Sequence, residues 1–317
     1  MPAKKSGKKG GKSPKKTRSE EQVPAELLSS ISLDLAHSSP EEIVTQLNDC
    51  QRFVSLVNLD LSFNALVELP TAIGALSHLV ELNLGYNRLS ALPESLGDLK
   101  RLQQLWLNWN VFSEFPLAVL GCSDLVMLQL ECNGLTALPS SISSLSLLQH
   151  LNASYNCLKS VPPEICSLRD LESLFLDWNE ISDLEDLHTE AWTDLQVLSL
   201  RGNKLVNLCD CSALKSLKTL DVGSDDLEMS WRRNLLTSLP DSIGCCVNLT
   251  RLDLSGNQIQ QVPQDLAELP NLKELNLREN PITAVPMLGK LMEHCAVSPA
   301  SLKTAAAVIP YMAYPVN

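Results

Sequence analysis

The sequence predicts an α/β solenoid of about ten coils, each giving one short strand to a curved parallel sheet on the concave face, with helical caps at the two ends. Three observations predict it. A phrase L-x-x-L-x-L begins at Leu56, Leu79, Leu102, Leu125, Leu148, Leu171, Leu195, Leu217, Leu249 and Leu272. An Asn stands three residues after the last Leu of nearly every phrase, at Asn64, Asn87, Asn110, Asn133, Asn156, Asn179, Asn203, Asn257 and Asn280. Most phrases then run into L-P or V-P and a stretch such as "PTAIGALSHL", residues 70 to 79, with apolar residues at helical spacing.

Each part of the phrase has a physical task. Alternating Leu side chains point inward from a strand, and the residues between them face out. The Asn turns the chain inward, and its amide can satisfy backbone groups of adjacent coils that would otherwise be buried unpaired. Ile73, Leu76 and Leu79 share one face of a short helical segment, with Pro70 fitting an early helical position. One coil buries its apolar edge only by stacking on the next.

The lag between phrases is 23 residues through the first six, then 24 and 22, then 32 between Leu217 and Leu249. The last figure is one lag plus the nine residues "DDLEMSWRR", 225–233, which read as an insertion. Either Asp225 with Leu227 or Asn234 with Leu236 supplies the Asn and the Leu after it. The insertion reads as a silent loop, as a contact loop carrying Trp231, Arg232 and Arg233, or as intronic sequence read as coding.

The organisation is a basic tail at 1–24, an N-terminal cap at 25–55, repeats at 56–286 and a C-terminal cap at 287–317. In the first cap, "ISLDL" predicts a strand, and Ser39, Pro40 and Glu42 predict a capped helix start before Ile43, Val44 and Leu47. At the other end, "PMLGKLMEHC" and "SPASLKTAAAVIP" predict two short closing helices.

These phrases resemble those of the intracellular leucine-rich repeat proteins, especially the Ras-group type with L-P-x-x-[IL]-x-x-L. The resemblance covers roughly residues 50 to 290. The phrases at Leu171 and Leu195 drop the Pro ("ISDLEDL", "LVNLCDC") and drift toward the shorter phosphatase-regulator type. The resemblance implies a binding scaffold, with small GTPases of the Ras type, phosphatase catalytic subunits, or cytoskeletal and ciliary assemblies as candidate partners.

Composition agrees with a soluble, non-secreted protein, expected in the cytoplasm or else in the nucleus, cilium or cytoskeleton. No apolar run is long enough to cross a bilayer, and "MPAKKSGKKGGK" lacks the apolar stretch of a signal peptide. Of the ten cysteines, Cys122 and Cys246 fall where Leu76 sits in its repeat, and Cys211 where Ile73 sits, so they read as small buried hydrophobes. Cys209/Cys211 and Cys245/Cys246 lack a second ligand pair at zinc spacing. His37, His78, His150, His188 and His294 are scattered, and no phosphate-cradling loop or nucleophile motif is present. No catalytic residue, metal ligand or cofactor is expected.

The net charge of -12 is divided unevenly. Lys4, Lys5, Lys8, Lys9, Lys12, Lys15, Lys16 and Arg18 make the tail strongly basic, and the other 17 basic residues face 37 acidic ones. The tail is too polar and Gly-rich to fold alone. It reads as a solubilising arm, a nuclear-import signal, or a polyanion-docking segment for nucleic acid, acidic lipid or an acidic protein tail. Ser13-Pro14 within it resembles a proline-directed phosphorylation site.

Aromatic residues carry the main binding expectation. The residue before the recurring Asn is Phe63, Tyr86, Trp109, Cys132, Tyr155 and Trp178 in the first six repeats, then Gly202, Ser224, Gly256 and Glu279. Trp106 and Phe175 join them at the middle of the strand. Seven of the fourteen aromatic residues are therefore expected on the concave sheet near its N-terminal half, as anchors for a partner. Acidic residues, among them Asp60, Glu81, Glu131, Glu172 and Asp177, accompany them, so the partner is expected to bring apolar and basic groups.

Overall fold

A computed structural model of the chain describes residues 32–38, 40–47, 55–224, 233–282 and 295–298. The ten phrases form β2 (Asn58–Asp60), β3 (Glu81–Asn83), β4 (Gln104–Trp106), β5 (Met127–Gln129), β6 (His150–Asn152), β7 (Ser173–Phe175), β8 (Val197–Ser199), β9 (Thr219–Asp221), β10 (Arg251–Asp253) and β11 (Glu274–Asn276). With β1 (Ser32–Asp34) before them and β12 (Ala296–Val297) after, they make one parallel sheet in chain order. Middle leucines lie opposite one another from strand to strand, as Leu59 to Leu82 and, across the insertion, Leu220 to Leu252.

The leucines of the phrases form one continuous core, with Leu79, Leu82, Leu84 and their counterparts fully buried. Opposite the sheet, most coils turn through a five-residue 3-10 helix, such as Thr71–Ala75 and Glu94–Asp98. Pro70 stands just before its helix in extended backbone, at φ -61° and ψ 144°, rather than inside it. The reason is that its carbonyl accepts the first helical bond, from the Ile73 amide at 3.1 Å, while its ring fixes a φ that suits the extended lead-in. Neighbouring helices come very close: a Cβ on Gly121 would stand 2.5 Å from the Gly97 α-carbon.

The two phrases without Pro are accommodated differently. After β7 the helix shortens to Thr189–Ala191, and Trp192, fully buried, fills the space of the usual Leu. Its indole donates to the Ile165 carbonyl at 3.4 Å. The cysteines behave as core substitutes: Cys122, Cys166, Cys209, Cys211, Cys246 and Cys295 are buried free thiols. Burial pushes the Cys122 thiol up to about 12, so it stays neutral.

At the N-terminal end, β1 pairs with β2, and α1 (Pro40–Leu47) begins at the expected proline and buries Ile43 and Leu47. The expected N-cap Ser39, the basic tail and the two closing helices lie outside the described residues. Ala296–Val297 extend the sheet as β12, a strand that the sequence pattern did not announce.

The recurring Asn side chains bind the coils together. Asn87 is typical: its Nδ2 donates to Leu61 of the preceding coil at 2.9 Å and to Leu84 of its own at 3.0 Å, while Oδ1 accepts the Leu66 amide at 3.1 Å. In the interrupted repeat this role falls to Asn234, which donates to Leu200 and Val222 and accepts from Leu205. Ser224 and Asn234 are thus successive positions of one regular coil, with the nine residues 225–233 inserted in sequence at that joint. Asp225 is not the ladder residue.

Candidate binding surface

The aromatic residues before the ladder Asn do not sit in the strands, as their alternation suggested. They follow the strand ends in left-handed turns, Phe63, Tyr86, Trp109, Tyr155 and Trp178, with Cys132 at the equivalent position, all at φ between 54° and 56°. The repeated geometry aligns their side chains in a column beside the sheet. Phe63 and Tyr86 stack with ring centroids 4.2 Å apart, Tyr86 and Trp109 at 5.5 Å, and Tyr155 and Trp178 at 5.9 Å. His37 extends the column by stacking on Phe63 at 5.2 Å. The sequence reading missed His37, although its place after "LDLA" matches that of Phe63 after "LDLS".

Stacking covers the faces of these rings and leaves their edges in solvent. Phe63 is 49% exposed, Tyr86 41%, Trp109 51% and Tyr155 47%. Trp178 departs from the expectation of an outward anchor: it is only 6% exposed. The next position in the column is Gly202, and the indole lies over it. Trp106 and Phe175 do face outward from β4 and β7, half-buried.

Left-handed backbone is costly for a bulky residue and free for glycine. Gly202 and Gly256, at φ 61° and 66°, occupy this column position without strain. Phe63, Tyr86, Trp109, Tyr155 and Trp178, with Cys132 among them and Glu279 in the last repeat, hold side chains there at about 1 kcal/mol or more each.

The charged groups divide along the same line. Residues at the end of the strand close the following turn by accepting the amide two positions on: Asp60 from Ser62, Asn83 from Gly85, Asn152 from Ser154 and Asp253 from Ser255. Asp60 also accepts from Asn83, and Glu131 from Asn152, each at 3.1 Å. The described ion pairs lie farther along: Lys204 with Glu180, Arg201 with Asp221, Arg251 with Glu274 and Arg233 with Glu279. Arg201, Lys204, Arg233 and Arg251 are thus paired within the chain, while Asp60, Glu81 and Glu131 meet no base among the described residues.

Burial raises several of these carboxyls. Glu131 is pushed up by burial, and Asp177 likewise, against the hydrogen bonds from the Ser199 hydroxyl at 2.6 Å and the Arg201 amide at 2.8 Å. Asp221 is raised to about 7, first by burial and then by Asp253 and Asp177, with Arg201 opposing.

Arg233, expected as a partner contact, is partly exposed: its guanidinium pairs with Glu279 and its stem packs beside Gly256. Trp231 and Arg232 lie outside the described residues, as do Ser13 and the basic tail. Among the described residues no group of three or more His, Cys, Asp or Glu is placed to hold a metal ion, and no helix is long and apolar enough to cross a membrane.

Comparison with known families bears on what such a surface is. A family model described as "Leucine rich repeat" matches residues 54–112 and 123–181, and one described as "Leucine Rich repeats (2 copies)" matches 247–290. The chain is a leucine-rich repeat protein. This leucine-rich repeat protein is 29% identical over 132 residues to human Toll-like receptor 1, covering 33% of its own length and 17% of the receptor's. It thus spans less than a fifth of that relative. Among solved structures it is similar to a leucine-rich repeat protein of Leptospira interrogans, at 28% identity and a TM-score of 0.54 over 78% of this chain and 73% of that one. It is also similar to the plant peptide hormone receptor RGFR1 in complex with RGF2, at 26% identity and a TM-score of 0.54 over 86% of this chain and 51% of that one. The fold is one that generally mediates protein–protein interaction.

Proposed function

We propose that this leucine-rich repeat protein is a non-enzymatic scaffold that binds a protein partner on the N-terminal half of its concave surface. The observation that carries the proposal is the strained aromatic column, Phe63, Tyr86 and Trp109, kept in left-handed backbone where Gly202 and Gly256 stand farther along. Rings held at such a cost and left 41–51% exposed offer area that packing inside the solenoid does not need. Trp106 and Phe175 widen the apolar area, and the acids Asp60, Glu81 and Glu131 select a basic partner. The structure of RGFR1 with RGF2 is a precedent for a similar fold holding a peptide. Small GTPases of the Ras type, phosphatase subunits and cytoskeletal or ciliary assemblies are the candidate partners, and a cytoplasmic signalling scaffold is the role that fits them.

Affinity purification of the full chain and of Trp106→Ala/Trp109→Ala tests this. Proteins recovered by wild type should be lost with the double variant; equal recovery would refute the surface. A second reading is favoured by the eight basic residues of the tail: docking on a polyanion, in the nucleus or on a cytoskeletal or ciliary lattice, with phosphorylation at Ser13 lowering the charge. Tail-driven binding should fall steeply with salt, whereas aromatic docking should change little.

A further inference from the structure

The outward face of the sheet divides by charge. Along β1 to β7, neither the outward strand positions nor the residues two places beyond the strand ends hold a Lys or Arg. From β8 onward Arg201, Arg251 and Arg278 enter the same face. On the first five strands stand Asp34, which is exposed, and Asp60, Glu81 and Glu131, which are half-buried. The partners given to them are neutral: Asp34 accepts from the Ala36 amide, Asp60 from Ser62 and Asn83, and Glu131 from Asn152. Strand register sets Trp106 between Asn83 and Gln129, in the coil between those of Glu81 and Glu131. This part of the face therefore surrounds an indole with carboxylates that have no counter-charge among the described residues.

The basic tail has the complementary charge and the reach to meet it. Its Lys and Arg lie between Lys4 and Arg18, and residues 1–18 contain no acid. Arg18 stands fourteen residues before Ser32, where β1 opens the acidic end of the sheet. A chain of that length reaches about 50 Å at full extension. Four strand spacings, about 19 Å, separate β1 from β5. Joined in this way, tail and face meet at an effective concentration of about 1 mM, so a weak attraction is enough to hold them together.

The match is one of charge alone. Beyond Met1 the tail has no aromatic residue and no Leu, Ile, Val or Met, so it neutralises the acids while covering little of Phe63, Tyr86 and Trp109. A partner that brings apolar as well as basic groups gains the rings too, and displaces it.

We propose that residues 4–18 dock on the acidic face of β1 to β5 in their own chain and occupy it until such a partner displaces them. This docking rests on the concave-surface reading for the face it uses, and it adds a competitor that the partner must overcome.

The test compares the full chain with a variant lacking residues 2–18 by the NMR signals of the tryptophan indoles. Trp106 is assigned by Trp106→Phe, and the fully buried Trp192 serves as the internal reference. At low salt the deletion should shift the Trp106 signal and leave Trp192 unmoved. A synthetic peptide of residues 1–18 added to the deletion variant should restore the Trp106 signal with a Kd of about 1 mM or tighter. Its affinity should fall about tenfold when salt is raised from about 50 to about 300 mM. Glu81→Gln/Glu131→Gln should weaken the peptide about fivefold. Should the double variant melt at a lower temperature, Glu81→Gln alone should still weaken it about twofold. Identical Trp106 signals with and without the tail, no shift on adding the peptide, or equal peptide affinity for the Gln variants would each overturn the docking. In those cases, loss of captured proteins with Trp106→Ala/Trp109→Ala would still uphold the partner surface. Undiminished capture by that variant, with the peptide still bound by the deletion variant, would instead overturn the partner surface alone.

Discussion

The indole of Trp178 rests on Gly202: a Cβ built on that glycine would stand 2.4 Å from Trp178 Cε3. This contact ends the exposed aromatic column and explains why Trp178 is buried while Trp109, with the same backbone and the same place in its repeat, is not. A ring can fold over its neighbour only where the next coil offers no side chain.

Gly202→Ala should therefore destabilise the protein by about 2 kcal/mol or more. The new methyl displaces the indole, and φ 61° is unfavourable for alanine. Urea unfolding measures the loss, and Trp178 should become more solvent-exposed by fluorescence. An unchanged midpoint would contradict the contact.

Stability should depend on pH through Asp221. Its carboxyl is raised to about 7 in the fold, above the ordinary carboxylate value it regains on unfolding, so the folded state binds a proton more tightly. The stabilisation is complete below about pH 4 and is lost as pH rises through about 7. In Asp221→Asn the decline between those values should shrink, by on the order of 2 kcal/mol, when unfolding is measured at pH 4.5 and 7.5. Asn83, Asn152 and Asn276 close the same turn in their own repeats, so the substitution keeps the local geometry. An identical pH profile for the variant would rule out Asp221 as the titrating group.

The Asn ladder should weaken unevenly on substitution. Asn179 donates to Ala153 and Leu176 and accepts the Leu158 amide, all buried, so Asn179→Ala should cost about 2 to 4 kcal/mol. Asn64 donates in the same way, but its Oδ1 has no partner among the described residues. The cap position equivalent to Leu66, whose amide meets Asn87, is Pro40, which has no N–H. Asn64→Ala strands no amide donor and should cost about 1 kcal/mol less, as thermal melts of the two variants can show.

Removing residues 225–233 should leave a folded protein, because Ser224 and Asn234 hold adjacent places in one coil. The loss is the partly exposed Arg233–Glu279 pair, about 1 kcal/mol or less. A cooperative melt close to that of the full chain is expected; an unfolded product would mean that the ladder register is wrong.

Most of the fold was legible because leucine spacing and the ladder Asn encode the coil directly: one fixes which side chains are buried, the other where the chain turns. The insertion's register was not, since Asp225 and Asn234 each fit the pattern, and only the bonds to Leu200, Val222 and Leu205 distinguish them. For the surface, the sequence aligned the aromatic residues in one column but could not show that they occupy left-handed turns, because period-two alternation says nothing about φ. Nor could it separate Trp178 from Trp109. That difference depends on the absence of a side chain one coil later. The pairing of Arg233 with Glu279 was illegible for a similar reason, since the two lie two coils apart.

The most direct test of the central claim is hydrogen–deuterium exchange on the complex with a partner recovered by affinity purification. Binding on the aromatic and acidic half predicts protection at β2 to β6 and in the turns that carry Phe63, Tyr86, Trp109 and Tyr155, with β9 to β11 unchanged. Protection confined to the basic tail or to the C-terminal strands would contradict it.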